Sequence, residues 1–175
     1  MITTERLILR QWIDADRPAF AALTADREVM RYFPAPFTLA EANANIDRGA
    51  AHIAVHGWGT WAVARRDDGA FVGEIGLQPC NARGPVLGEV EIGWLVAPNM
   101  WRKGYALEAA RAALDWGKTK LGRRFVAITA ASNLPSQGLM VRLGMTRRPD
   151  FDFDHAAIAA DSSLRRHVTF VTDGP

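Results

Sequence analysis

The stretch of sequence that decides the fold reads Glu91-Ile92-Gly93-Trp94-Leu95-Val96-Ala97-Pro98-Asn99-Met100-Trp101-Arg102-Lys103-Gly104-Tyr105-Ala106. Its alternation and its proline predict a buried strand that ends at Pro98, then a tight loop, then a helix that begins at Gly104. Backbone N–H groups at such a helix start point outward at the positive end of the helix dipole, which makes the loop a candidate anion site. Gly104 and Ala106 let a phosphate approach the backbone, and Arg102 and Lys103 add positive charge.

The loop alone leaves two interpretations open. It lacks the first glycine and the spacing of a Walker sequence, and it is not the Gly-x-Gly-x-x-Gly dinucleotide fingerprint. It is therefore either an anion site or a helix start whose small residues serve packing.

Downstream of this loop, the pattern predicts a helix over residues 104–121, because apolar residues recur there at helical spacing. An apolar run predicts a buried strand over 125–131. A short helix over 136–143 and two strands over 145–153 and 166–172 follow.

Upstream, the pattern predicts a strand over 7–12, a short helix over 18–24, and a longer helix that starts at a capping box over 38–41 and ends near residue 56. Two strands over 59–65 and 71–77 flank a turn signal, which predicts a hairpin. This order of elements predicts a mixed α/β sheet with helices on its faces.

Composition narrows the class of protein. The chain has 175 residues, of which 49% are apolar and 23% charged, which is typical of one globular domain over residues 1–175. The formal net charge is only +2 and the arginine runs are short, so we expect no nucleic-acid partner. No apolar run is long enough to span a membrane, and the single cysteine, Cys80, excludes an intramolecular disulfide. We therefore expect a cytoplasmic protein without a membrane partner.

Two spaced motifs resemble one family. Trp101-Arg102-Lys103-Gly104-Tyr105-Ala106 resembles the pyrophosphate-binding loop of the GNAT acetyltransferase superfamily, whose pattern is Gln/Arg-x-x-Gly-x-Gly/Ala. The tryptophan, and the continuation Leu107-Glu108-Ala109, are similar to the branch of ribosomal-protein N-terminal acetyltransferases (RimJ/RimL type). Asn133-Leu134-Pro135-Ser136 and Leu143-Gly144-Met145 resemble the Asn-x-x-Ser and Leu-Gly-Phe segments of that branch, and Glu5-Arg6-Leu7 resembles its first strand.

The resemblance implies a single GNAT-like domain, with a mixed, largely antiparallel sheet of about seven strands and helices on both faces. It implies direct transfer of acetyl from acetyl-CoA to a primary amine, without a metal, in a monomer or homodimer. The acceptor would be a protein N-terminal α-amine or a small-molecule amine. A non-catalytic domain that binds acyl-CoA or a metabolite is the alternative. The residues expected to bind the co-substrate are Leu95, Val96, Trp101, Arg102, Lys103, Gly104, Tyr105, Ala106, Asn133 and Ser136.

Amide formation needs a base for the amine, donors for the developing oxyanion and a proton for the leaving thiolate. Glu91 is the candidate base, acting directly or through water, because a carboxylate on a central strand needs a partner or a function. The alternative is that Glu89 and Glu91 line a solvated edge or pair with arginine side chains. The resemblance implies backbone N–H groups near Leu95 and Val96 as oxyanion donors, and Ser136 as the acid. Ser136 is also a candidate helix cap.

Three further residues are candidates for contact with the acceptor. Glu89 shares the polar face of its strand with Glu91. Tyr32 and Phe33 lie between the first two helices, in the region that covers the acceptor in the GNAT superfamily. Near the C-terminus Asp150, Asp152 and Asp154 form either a solvated face or an acidic rim that attracts a cationic amine.

Overall fold

The computed structural model describes residues 1–81 and 84–173, and in these residues four α-helices pack on one sheet of nine strands. The helices are α1 (Arg17–Ala25), α2 (Leu39–His56), α3 (Tyr105–Leu121) and α4 (Leu134–Arg142). The strands are β1 (Ile2–Thr3), β2 (Leu7–Arg10), β3 (Thr60–Arg65), β4 (Phe71–Pro79), β5 (Val90–Val96), β6 (Phe125–Ala130), β7 (Thr146–Arg147), β8 (Phe153–Asp154) and β9 (Arg166–Val171).

The sheet is mixed and largely antiparallel. Its strand order is β1-β2-β3-β4-β5-β6-β9-β7, with β8 paired to β9. Only β5 and β6 are parallel neighbours among the described pairs, and they are joined at just two positions, Val90 with Phe125 and Glu91 with Val126. Both strands continue beyond this point, so a gap opens between them within the sheet.

Helices cover both faces of the sheet, as expected. On one face the small residues of α3, among them Ala109, Ala110 and Ala113, pack on strands β2 to β6. On the other face α1 and α2 bury a second cluster that includes Phe20 and Ile46. No helix in the described part of the chain has the length and apolar character needed to cross a membrane.

Local signals place the helix ends. Thr38 and Glu41 form the predicted capping box at the start of α2, in which the Thr38 hydroxyl accepts from the Glu41 N–H and the Glu41 carboxylate accepts from the Thr38 N–H. Gly104 and Gly122 bracket α3, both with left-handed backbone, at φ of 83° and 58°.

The prediction of about seven strands was too low. The pair Ile2–Thr3 adds a short edge strand, and the predicted strand over 145–153 is broken into β7, a 3₁₀ turn at Pro149–Phe151, and β8. Pro149 has no N–H for a ladder hydrogen bond, and the ion pair of Arg147 with Asp152 closes the turn. The predicted loop over 81–88 lies partly outside the described residues.

Candidate active site

A cleft opens where β5 and β6 part, and two cavities meet in it. The first has a volume of about 580 Å³ and is lined by Glu91, Gly93 and residues 128–130 of β6. The second has a volume of about 690 Å³ and extends past Val96 to the loop before α3. The residues that line both cavities, and so mark where they join, are Tyr32, Phe33, Trp94, Leu95, Asn133 and Ser136.

The loop before α3 faces the second cavity. Arg102 and Gly104 both have left-handed backbone, at φ of 58° and 83°, and this turns the chain sharply into the helix. The indole N–H of Trp101 donates to the Val96 carbonyl at 2.7 Å, which fastens the loop to the end of β5. Trp101, Arg102, Gly104, Tyr105 and Ala106 all line this cavity, so the predicted anion site and the cavity coincide.

Lys103 differs from its neighbours in the loop. It does not line the second cavity; instead its carbonyl accepts from the Arg6 guanidinium at 3.0 Å. The prediction that Lys103 binds the co-substrate is thus not supported by its position.

Glu108 clamps the start of the chain to the first turn of α3. Its carboxylate accepts from the Thr4 hydroxyl at 2.5 Å, from the Arg6 N–H at 2.9 Å and from the Arg6 Nε at 2.7 Å. The Arg6 guanidinium also lies 4.7 Å from the centre of the Tyr105 ring. Burial raises the pKa of Glu108, but hydrogen bonds from Thr4 and Arg6 outweigh it and leave that pKa below its usual value. No signal in the sequence indicates that the segment at Thr4 and Arg6 contacts Glu108.

Glu91 lies in the wall of the first cavity. Burial raises the pKa of its carboxyl group to about 7, although hydrogen bonds from Gln78 and Cys80 oppose the rise. Gln78 lies opposite Glu91 in the β4–β5 register, and its Nε2 is 3.4 Å from Glu91 Oε2. A carboxyl group that titrates near neutral pH is suited to accept a proton from an amine.

The hydroxyl of Ser136 is held by two donors. The Trp94 indole donates to Ser136 Oγ at 3.2 Å, and the Asn133 amide donates at 3.1 Å. A hydroxyl oxygen has two lone pairs, so both are used and the hydroxyl proton is free to be donated. Asn133 Nδ2 also donates to Thr129 Oγ1 at 2.9 Å, which fixes the amide.

The interpretation of Ser136 as a helix cap is wrong. Helix α4 begins at Leu134, two residues earlier than predicted, and Asn133 is the cap, because its side-chain oxygen accepts from the Ser136 N–H at 3.2 Å. Pro135 in the first turn is compatible with this start, since a proline there loses no helical hydrogen bond.

The backbone of Val96 also faces the cleft. Hydrogen-bonded pairs alternate along antiparallel strands, and the Ala97 N–H donates to the Val72 carbonyl, so the N–H of Val96 points away from β4. The bond from Trp101 to the Val96 carbonyl lies on that same side. Of the two N–H groups considered as oxyanion donors, that of Val96 has the required direction, whereas that of Leu95 faces β4.

Tyr32 and Phe33 line both cavities, in the expected region, but Glu89 lines neither. Its carboxylate pairs with Arg124 at 2.5 Å and with Arg123 at 3.7 Å. Its position therefore does not support the prediction that Glu89 binds the acceptor. It precedes Val90, the point where β5 and β6 are still joined, so the open part of the cleft begins beyond it.

The aspartates near the C-terminus do not form an acidic rim. Each of the three pairs with an arginine: Asp150 with Arg148, Asp152 with Arg147, and Asp154 with Arg165 and Arg166. His155 and His167 from this region do line the first cavity, and burial lowers the pKa of His167. No group of three or more metal-ligating side chains occurs in residues 1–81 or 84–173.

This fold and cleft agree with the comparisons with known proteins. Residues 6–146 match the model of the acetyltransferase (GNAT) domain family, so the chain belongs to the GNAT family of acyltransferases. It is 34% identical over 154 residues to the uncharacterized N-acetyltransferase YnaD of Bacillus subtilis (strain 168), which covers 86% of this chain and 85% of YnaD. A GNAT-family acetyltransferase from Bacillus anthracis superposes with a TM-score of 0.80 at 26% identity, over 97% of this chain and 96% of the other.

Two structures with named acceptors share the fold at lower identity. Spermidine N-acetyltransferase of Vibrio cholerae, solved with CoA and spermine, has a TM-score of 0.74 at 18% identity, over 96% of this chain and 95% of the other. RimL, a ribosomal L7/L12 α-N-protein acetyltransferase solved with coenzyme A, has a TM-score of 0.73 at 15% identity, over 98% and 96%. Because these identities show the fold alone, the ribosomal-protein branch is still a hypothesis for this chain.

Proposed function

We propose that this protein transfers an acetyl group from acetyl-CoA directly to a primary amine. The observation that carries the proposal is the meeting of two cavities at Trp94 and Ser136, one leading to a helix-start anion loop and the other to the carboxyl group of Glu91. A co-substrate with a diphosphate and a thioester fits the second cavity, which reaches the loop before α3. An amine fits the first cavity, which contains Glu91. The family and its relatives with bound CoA support this assignment.

The loop before α3 fits the diphosphate of acetyl-CoA. The backbone of Gly104 has the left-handed conformation that opens the helix start, and a side chain there would come within 3.3 Å of the Arg6 guanidinium. The exposed N–H groups of the loop would hold the phosphates, with Arg102 supplying positive charge. When bound, acetyl-CoA supplies an acetyl group already activated as a thioester.

Residues of the chain then have separate roles in the acetyl transfer. Glu91 accepts the proton that the ammonium form of the acceptor must lose, directly or through a water molecule. The N–H of Val96 donates to the carbonyl oxygen as negative charge develops on it. Ser136 donates its proton towards the departing sulfur, and the second proton that leaves the amine nitrogen restores its hydroxyl. Tyr32 and Phe33 cover the junction and exclude bulk water.

The first experiment is a thermal unfolding scan with and without acetyl-CoA. A ligand at about 100 times its dissociation constant adds roughly 2.7 kcal/mol to stability. For a domain of this size, that corresponds to a rise in Tm of roughly 5–10 °C. No rise at millimolar acetyl-CoA would contradict the proposal.

A thiol-release assay with a panel of amines separates catalysis from the non-catalytic alternative. We expect thiol release that depends on the amine. A protein that binds acetyl-CoA, yet releases no thiol with any primary amine or peptide N-terminus, would instead be the acyl-CoA-binding domain considered above.

A further inference from the structure

The first cavity contains a second carboxyl group that the proposed reaction does not use. Glu74 lies in the middle of β4, is only 8% exposed, and lines this cavity together with Glu91. No sequence motif marks Glu74 as a functional residue, because it lies in an otherwise apolar strand.

The strand register places Glu74 and Glu91 on one face of the sheet. Glu74 lies opposite Leu95, and Gln78 lies opposite Glu91, so the two carboxyl groups are four residues apart along the strands. At about 3.3 Å per residue their α-carbons are separated by roughly 13 Å along the strand direction. Between them Gly76 lies opposite Gly93, so neither β4 nor β5 contributes a side chain at that level.

Burial raises the pKa of Glu74, while hydrogen bonds from Thr60 and Asn45 and the charge of Arg48 oppose the rise. A cation bound beside the carboxyl group would favour its ionised form. Arg48 Nη2 donates to Asn45 Oδ1 at 3.1 Å, and Asn45 Nδ2 donates to Glu74 Oε1 at 3.0 Å. In the described part of the chain Glu74 forms no ion pair; the positive charge that acts on it is that of Arg48, which contacts Asn45 instead. A buried carboxylate without a cationic partner is costly, and the cavity leaves space for one.

The remaining walls are compatible with a cation. Tyr32, Phe33 and Phe37 supply aromatic surface, which suits an alkyl chain and an ammonium group. His155 and His167 line the same cavity, and burial lowers the pKa of His167, which favours the neutral ring.

We propose that the acceptor carries a second cationic group, and that Glu74 binds it. The acceptor class is then an extended aliphatic diamine or polyamine, a proposal that rests on the acetyl transfer proposed above. One amine loses a first proton to Glu91 and forms the C–N bond as the C–S bond breaks. Ser136 supplies a proton to sulfur and is reprotonated by the second proton that leaves the amine nitrogen. The distal ammonium keeps its proton and stays on Glu74, and the product has one positive charge fewer than the acceptor.

The test compares amines that differ only in the second charge. We expect wild-type kcat/KM to be about tenfold or more higher for hexamethylenediamine than for hexylamine, which is the effect of one charge-assisted hydrogen bond. In Glu74→Gln the KM for the diamine rises until this preference is lost, and the kinetics with hexylamine stay the same. Glu5→Gln makes the same chemical change at an exposed residue and leaves the preference intact.

A second variant keeps the charge. Glu74→Asp shortens the side chain by one methylene, so along a series from putrescine to decamethylenediamine we expect the optimum to move to a longer chain. Thermal unfolding checks that both variants fold. The diamine series on the wild-type protein tests the proposal even if neither variant folds.

The possible failures are distinguishable. Equal kcat/KM for monoamines and diamines in the wild type overturns the second cationic site and leaves acetyl transfer standing. An equal loss with both amines in Glu74→Gln also overturns it, because Glu74 would then be structural. No transfer to any amine overturns the proposed function itself.

Discussion

The indole N–H of Trp94 donates to Ser136 Oγ at 3.2 Å, and this contact joins β5 to α4 across the gap in the sheet. The residues are 42 positions apart in the sequence, so only the fold brings them together. Because the indole occupies one lone pair of the hydroxyl, it helps to direct the Ser136 proton.

We expect Ser136→Ala to lower kcat by about 100-fold, the typical effect of losing a positioned proton donor, and to change the affinity for acetyl-CoA much less. Trp94→Phe keeps the ring and removes only the N–H, so its loss of kcat should be smaller, about tenfold. Steady-state kinetics and a binding titration check both. Ser132→Ala, at an exposed serine on the same connection, is the control. Unchanged kcat in Ser136→Ala would show that the hydroxyl is not the acid.

The pH dependence of kcat follows from Glu91, whose pKa is raised to about 7 by burial. Below this pH the carboxyl group is protonated and cannot act as the base, so kcat should fall towards acid pH with an apparent pKa near 7. In Glu91→Gln we expect a loss of about 100-fold at pH 8 and no such acid limb. Measurement at saturating acceptor confines the profile to groups of the bound complex. An acid limb that survives in Glu91→Gln would assign the titration to another group.

The same group makes a prediction about stability. The pKa of Glu91 is higher in the folded protein than its ordinary value of 4.5, so the folded state holds the proton more tightly. Stability is thus greatest below the unfolded pKa and falls as the pH rises to about 7. Chemical denaturation should show Glu91→Gln more stable than the wild type at pH 8, by about 1–3 kcal/mol, with the difference vanishing near pH 4. A difference that does not change with pH would contradict this account.

The two glycines that bracket α3 provide a matched pair. Gly104 and Gly122 both have positive φ, so alanine at either costs about 1 kcal/mol of stability. Only at Gly104 does the new methyl group approach another residue, Arg6, and only Gly104 lines the second cavity. We expect both variants to lower Tm by about 2–4 °C. The affinity for acetyl-CoA, measured by titration calorimetry, should fall about tenfold in Gly104→Ala alone. Equal affinities in the two variants would mean that the loop does not bind the diphosphate.

Local patterns predicted the parts of the fold that depend on neighbours in sequence. The capping box of Thr38 and Glu41, the glycine before α3 and the alternation of β5 are all short-range signals, and the structure confirms each element. The start of α4 was misplaced, although Pro135 was an available signal, since proline is favoured in the first turn of a helix.

Long-range relationships could not be predicted in this way. Alternation places Glu89 and Glu91 on one face of a strand. Arg124, the residue before β6, pairs with Glu89, whereas Glu91 lines a cavity. Glu74 was missed for a similar reason, because its significance depends on Asn45 of α2 and on a register with β5. Resemblance indicated the loop and the Asn-x-x-Ser segment, but not the clamp of Glu108 on Thr4 and Arg6.

The narrow join between β5 and β6 also has a mechanical consequence. Two ladder positions, with α3 as the connection between the two strands, hold the β1–β5 half of the sheet to the half formed by β6 to β9. The hydrophobic core shared by the two parts supplies most of the remaining contact between them, so local opening at the β5–β6 join should cost less than global unfolding. A co-substrate bound in the gap between β5 and β6 would contact both parts of the sheet. We therefore expect amide hydrogen exchange in residues 125–130 and 166–171 to slow on binding more than exchange in β2 and β3.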